Sequence, residues 1–153
     1  MAAETPTVHA SAVLAGARAV LIRGPAGAGK SKLALALIDA AEAGLLAFAR
    51  LVGDDRVHLE PHHGRLVVRP APPLAGLIEV RGLGIRRLDH EPVAVVGLVV
   101  DLAADDAGRL PAGTAAVICG ISLPRLAVAA GAEASYPLLA RLRFAPGDIK
   151  PPS

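Results

Sequence analysis

Residues 24–31 read Gly-Pro-Ala-Gly-Ala-Gly-Lys-Ser, which fits the phosphate-cradling pattern G-x-x-x-x-G-K-[ST]. Glycines let such a loop curl until successive backbone N–H groups face an anion. Lys30 would bring a cation to the β- and γ-phosphates, and the Ser31 hydroxyl is suited to ligating Mg²⁺. A helix starting here adds the positive end of its dipole to the same site. The residue types therefore point to ATP held by Gly24, Pro25, Ala26, Gly27, Ala28, Gly29, Lys30, Ser31 and Lys32. Only three lysines occur in 153 residues, so a chance match is remote.

Phosphoryl chemistry also needs a carboxylate for the metal and a group to orient the nucleophile. Three acidic candidates stand out. Asp101 ends the apolar run Val99-Val100. The pair Asp54-Asp55 follows Leu51-Val52-Gly53. Glu79 lies between apolar neighbours, where a charge is costly unless a cation meets it. From the residues alone, either Asp101 or Glu79 could complete the metal site.

The flanking segments have the required character. Ala19–Ile22 is a short apolar run of the kind that forms a buried parallel strand. Leu33–Ile38 continues into Ala-rich sequence up to Gly44, which predicts a helix over about 31–43 with a glycine stop. Val8–Leu14 and Arg18–Arg23 read as a hairpin around Gly16. Leu45–Val52 fits either a helical continuation or a strand. A second hairpin is expected from Val57–Glu60 and Arg65–Val68. Gly82 and Gly84, after Leu77–Val80, suggest a close backbone approach. Further strands are expected at Val93–Val100, Ala115–Cys119 and Leu126–Ala130, with a helix from Tyr136 to about Phe144.

Composition bounds the answer. With 53% hydrophobic and 2% aromatic residues, the core must be Leu, Val, Ala and Ile, and the composition argues against platforms for stacking bases. Thirteen arginines are scattered, giving a net charge of only +2 and no nucleic-acid footprint. The longest uncharged stretch, Leu110–Pro124, is too short and too broken to span a membrane, and the N-terminus lacks a basic leader. A soluble cytoplasmic protein is expected. Cys119 is expected to be a small core residue.

Four motifs in order resemble the catalytic domain of the HPr kinase/phosphorylase family, whose members phosphorylate a serine of the phosphocarrier protein HPr. They are His9, fifteen residues before Gly24; the glycine-rich loop; Val52-Gly53-Asp54-Asp55-Arg56-Val57; and Ile78–Ile85, similar to the signature L-E-I-R-G-L-G-I. The resemblance runs from about Val8 to Leu110. It implies that Asp54 accepts the proton of the serine, with Asp55 beside it and His9 supporting it. It implies Ser31 and Glu79 as Mg²⁺ ligands, which removes Asp101 from that role, and it implies a functional Arg109 alongside Lys30. It also implies an α/β fold: a P-loop domain of the phosphoenolpyruvate carboxykinase-like type, a strand-rich mixed sheet with a P-loop helix and a C-terminal helix. One domain over 1–153 is expected, with its core at about 8–145. ATP and Mg²⁺ are the implied cofactors, with HPr as partner and a homo-oligomer as the family's assembly. The family's late P-V-R-P-G-R-N-type stretch is reduced here to Leu123-Pro124-Arg125-Leu126, so kinase activity is expected rather than phosphorolysis. The alternatives are a P-loop kinase or phosphatase of a small metabolite, and a nucleotide-binding regulatory module, since fold does not fix substrate.

Overall fold

The computed structural model describes residues 6–107 and 115–143. Strands β1 (Thr7–Ala15) and β2 (Arg18–Arg23) form the expected first hairpin, with Ala10 opposite Arg23 and Ala15 opposite Arg18. Helix α1 (Lys30–Glu42) follows, and its buried Leu33, Ala34, Leu37 and Ala40 make one stripe at helical spacing. It ends with Leu45 N–H donating to Ala40 and Gly44 N–H to Ala41, a Schellman closure at the expected glycine. The ambiguous stretch after it becomes strand β3 (Ala49–Gly53), then β4 (Arg56–His62) and β5 (Arg65–Pro70).

Strands β6 (Leu77–Val80) and β7 (Gly84–Arg87) make a separate two-stranded hairpin. A Cβ on Gly82 or Gly84 would meet nothing within 4 Å, so the expected close approach is absent. Both residues instead adopt φ of +85°, the left-handed conformation that this turn requires. Strands β8 (Ala94–Leu102), β9 (Ala115–Ile118) and β10 (Ile121–Val128) and helix α2 (Ser135–Arg143) complete the described residues. Cys119 is exposed in the β9–β10 turn with φ of +51°, and does not join the core. A two-residue turn between antiparallel strands needs a left-handed pair, and Cys119-Gly120 supplies it.

The main sheet is mixed. β2 runs parallel to β8 and β8 parallel to β10, while the other pairings are antiparallel. β8 pairs its first residues with β5 and its later ones with β2, so the pairings β2–β1–β4–β5–β8–β2 close on themselves. Inside this ring lies one aliphatic core that includes Leu21, Val57, Leu66, Val68 and Val99. A second core, with Val13, Ile22, Leu37, Leu51, Val100 and Leu138, packs the sheet's other face against both helices. No aromatic side chain belongs to either buried set. No described helix is long and apolar enough to cross a membrane.

Asp101 sits one residue from the end of β8. Its neighbours Val100 and Leu102 pack toward the helices, so alternation turns its side chain to the opposite face. There Arg23 grips it through two bonds of 2.7 and 2.8 Å, and Arg125 donates at 2.5 Å. Arg125 also reaches Asp106 at 2.7 and 2.9 Å. Burial pushes the Asp101 carboxyl up, but the bonds from Arg23 and then Arg125 outweigh it and hold its pKa below the ordinary 3.8. This carboxylate ties the end of β2 to β8 and β10.

Two stability predictions follow from this packing. Asp101→Asn lowers the unfolding free energy at neutral pH by about 1.5–3 kcal/mol. Because the native pKa is depressed, that contribution is complete well above pH 3.8 and fades as pH falls through the native value. Urea titrations of both proteins across acid pH will show the two curves converging. A Cβ at position 53 would lie 2.7 Å from Val57 Cγ1 and 3.2 Å from Pro70 Cα. Gly53→Ala therefore costs about 1–3 kcal/mol by the same measurement.

Candidate active site

Strand β2 delivers Arg23 directly to Gly24, and α1 begins at Lys30, so the glycine-rich loop bridges a strand end and a helix start. Gly29 caps α1 in the left-handed conformation without a side-chain cap. The first-turn N–H groups of α1 are thus left to face the loop's hollow, where the helix dipole favours an anion. Within the loop, Ala28 N–H donates to Pro25 at 3.1 Å. The Lys30 ammonium folds over it, donating to the carbonyls of Gly24 at 2.8 Å and Pro25 at 3.1 Å.

The acidic pair arises from register. Strands β3 and β4 follow one another along the same edge of β1, with Ala12 opposite Gly53 and His9 opposite Arg56. Ala10 N–H donates to the Asp55 carbonyl between them, at 3.3 Å. That register leaves Ser11 across from Asp54. The strand bends here, with a register shift at Ala12/Val13 and a left-handed Asp55 at φ of +69°. The bend sends two consecutive carboxylates in different directions.

Asp54 is buried, at 3% exposure. Its Oδ1 accepts Ser11 Oγ at 2.6 Å and Ser31 Oγ at 2.7 Å; its Oδ2 accepts Ser31 Oγ at 2.9 Å and Glu79 N–H at 3.3 Å. The loop serine and the first aspartate, 23 residues apart in the chain, are therefore in direct contact. Asp55 is exposed, and its Oδ1 lies 3.8 Å from His9 Nδ1. The histidine expected beside Asp54 thus stands beside Asp55, because β1 pairing puts Ser11 rather than His9 opposite Asp54.

Glu79 was expected to be a charge inside an apolar strand. The two-stranded hairpin buries Ile78 instead and leaves the Glu79 side chain in solvent, so no desolvation cost arises. Its main chain, through the bond to Asp54, ties the hairpin to the acidic pair. Arg109 lies outside the described residues. Asp101 is held by Arg23 and Arg125 on the face turned away from α1. On the flank of the loop an open cleft of about 580 Å³ is lined by Pro25–Gly29, Lys32, Leu33, Ala36, Arg81 and the chain from Val128 to Ser135. Ser11 escapes a reading of the sequence, since a lone serine in an apolar strand carries no signal until its cross-strand neighbour is known.

The family model for the HPr Serine kinase C-terminal domain matches residues 1–90. The HPr kinase/phosphorylase of Lacticaseibacillus casei (strain BL23) is 39% identical over 84 residues, covering 54% of this chain and 24% of that protein. The one from Clostridium beijerinckii is 42% identical over 66 residues, covering 43% and 20%. The chain thus spans about a quarter of the length of the curated relatives it matches. Among solved structures, the HPr(Ser) kinase/phosphatase from Coxiella burnetii superposes with a TM-score of 0.72 at 27% identity, covering 91% of this chain and 93% of that one. With a family match over more than half its length, in the segment that carries the loop, the acidic pair and the β6–β7 hairpin, this chain belongs to the HPr Serine kinase C-terminal domain family.

Proposed function

We propose that this chain is a single P-loop kinase domain of the phosphoenolpyruvate carboxykinase-like type, which transfers the γ-phosphoryl group of ATP to a serine hydroxyl of HPr. It would act in the cytoplasm, as part of phosphotransferase-system signalling. The observation that carries this reading is the contact between Ser31 and Asp54, which brings the phosphate-loop serine against the first acid of the pair. The nucleoside half of ATP has room in the cleft beside the loop, and the phosphates face Lys30 and the first-turn N–H groups of α1.

The donor set suits a divalent cation. The Ser31 hydroxyl donates its hydrogen bond to Asp54, leaving lone pairs on the Ser31 oxygen for a metal, and the Glu79 carboxylate is solvent-facing on the hairpin bonded to Asp54. Ser31 and Glu79 would hold Mg²⁺, which supplies charge neutralisation of the phosphate oxygens.

The exposed carboxylate is the better proton acceptor for an incoming alcohol. Asp54 is enclosed by its three donors, whereas Asp55 is open to a second protein and has His9 at its side. In this reading the serine oxygen attacks the γ-phosphorus while Asp55 orients its hydroxyl and takes its proton. The bond to the β-phosphate bridging oxygen breaks, and ADP leaves with that electron pair. Such a transition state is loose, so positioning and cations supply most of the acceleration. Lys30 acts on the developing charge. His9, exposed at 3.8 Å from Asp55, contributes orientation more than electrostatic energy.

The test incubates the protein with γ-labelled ATP, Mg²⁺ and HPr. Asp55→Asn is expected to keep ATP binding and to lose about 10²–10⁴-fold in transfer. Undiminished transfer would return the proton-accepting role to Asp54. Label on a small metabolite with HPr untouched would identify a metabolite kinase instead.

A further inference from the structure

Ser11 and Asp54 are the buried polar side chains among the described residues, and they are bonded to each other. Ser11 is 0% exposed in a strand whose other buried positions are Ala10, Ala12 and Val13. An apolar side chain would satisfy that pattern, so the hydroxyl has to be explained by what it touches. Its partner, Asp54 Oδ1, is the same atom that accepts from Ser31. Alternation along β1 turns Ser11 to the side of Val13, which is the side packed against α1, where Ser31 lies.

We infer that Ser11 is a positioning residue for the cation site of the glycine-rich loop. It pins Asp54 so that this carboxylate accepts the hydrogen bond of the Ser31 hydroxyl and leaves the Ser31 lone pairs turned toward a divalent cation. The inference rests on the nucleotide reading given above. The carboxylate is held at both ends, by Ser11 at 2.6 Å on Oδ1 and by Glu79 N–H at 3.3 Å on Oδ2. The Ser11 bond is the shortest of the set. Without it, the carboxylate keeps Ser31 and the long Glu79 N–H bond, and Oδ1 loses the one donor that fixes it from the β1 side. The Ser31 proton then loses its fixed direction, and the metal-facing lone pair with it. Groups that orient metal ligands in this way set metal affinity by about 10–100-fold.

The experiment titrates Mg²⁺ into the whole chain with ATP and reads nucleotide binding, alongside the thermal midpoint and circular dichroism. Ser11→Ala is expected to raise the Mg²⁺ concentration for half-saturation by about 10-fold or more. ATP binding in EDTA is expected to stay unchanged, because the loop N–H groups and Lys30 are untouched. Combined with Ser31→Ala, Ser11→Ala should add no further change. If Ser11→Ala does not fold, Ser11→Cys, of nearly the same shape but a weak donor, carries the same expectation. A variant that lowers the thermal midpoint and leaves the Mg²⁺ requirement alone overturns the inference and reduces Ser11 to a structural hydroxyl. A further Mg²⁺ effect in the Ser31→Ala background overturns it as well. Wild-type protein that binds no ATP overturns the nucleotide reading and this inference together.

Discussion

One buried carboxylate with three donors organises this molecule. Asp54 joins β1 through Ser11, the glycine-rich loop through Ser31 and the β6–β7 hairpin through Glu79 N–H. A buried acid left without donors would be far more costly than any of these bonds is favourable. The three segments are therefore obliged to meet at Asp54, and the glycine-rich loop is set relative to the sheet by that obligation.

The sheet makes the meeting possible. β1 lends one edge to β3 and β4 in succession, and the bend between them occurs at the acidic pair. Consecutive side chains of a strand point to opposite faces, and here the turn between β3 and β4 falls at residues 54 and 55. The left-handed Asp55 leaves one carboxylate in the interior and the other in solvent beside His9. Burial thus divides the work of two identical side chains. The acid facing Ser31 orients a loop hydroxyl, and the acid facing outward is open to a partner.

Asp101 offers an instructive contrast. Its place at the end of an apolar strand beside the loop makes it look like a metal-binding acid. Two arginines occupy it, however, and its depressed pKa reports their grip. Arginine forks saturate a carboxylate geometrically as well as electrically. The same charge type at two strand ends thus ends in two different roles, decided by which neighbours carry cations.

The glycine-rich loop, its preceding strand and following helix, both early hairpins and the aliphatic core are legible from the chain by itself. Each depends on residues close in sequence, such as the glycines before Lys30 or the period of Leu33, Ala34 and Leu37. What tertiary structure alone decided is which side chains meet across strands far apart in the chain. The partner of Asp54 is Ser11 and that of His9 is Asp55, because register and one left-handed residue fix them. Glu79 turned out exposed and Cys119 outside the core for the same reason: the side a residue faces depends on the strand or turn it lies in, which local pattern does not specify.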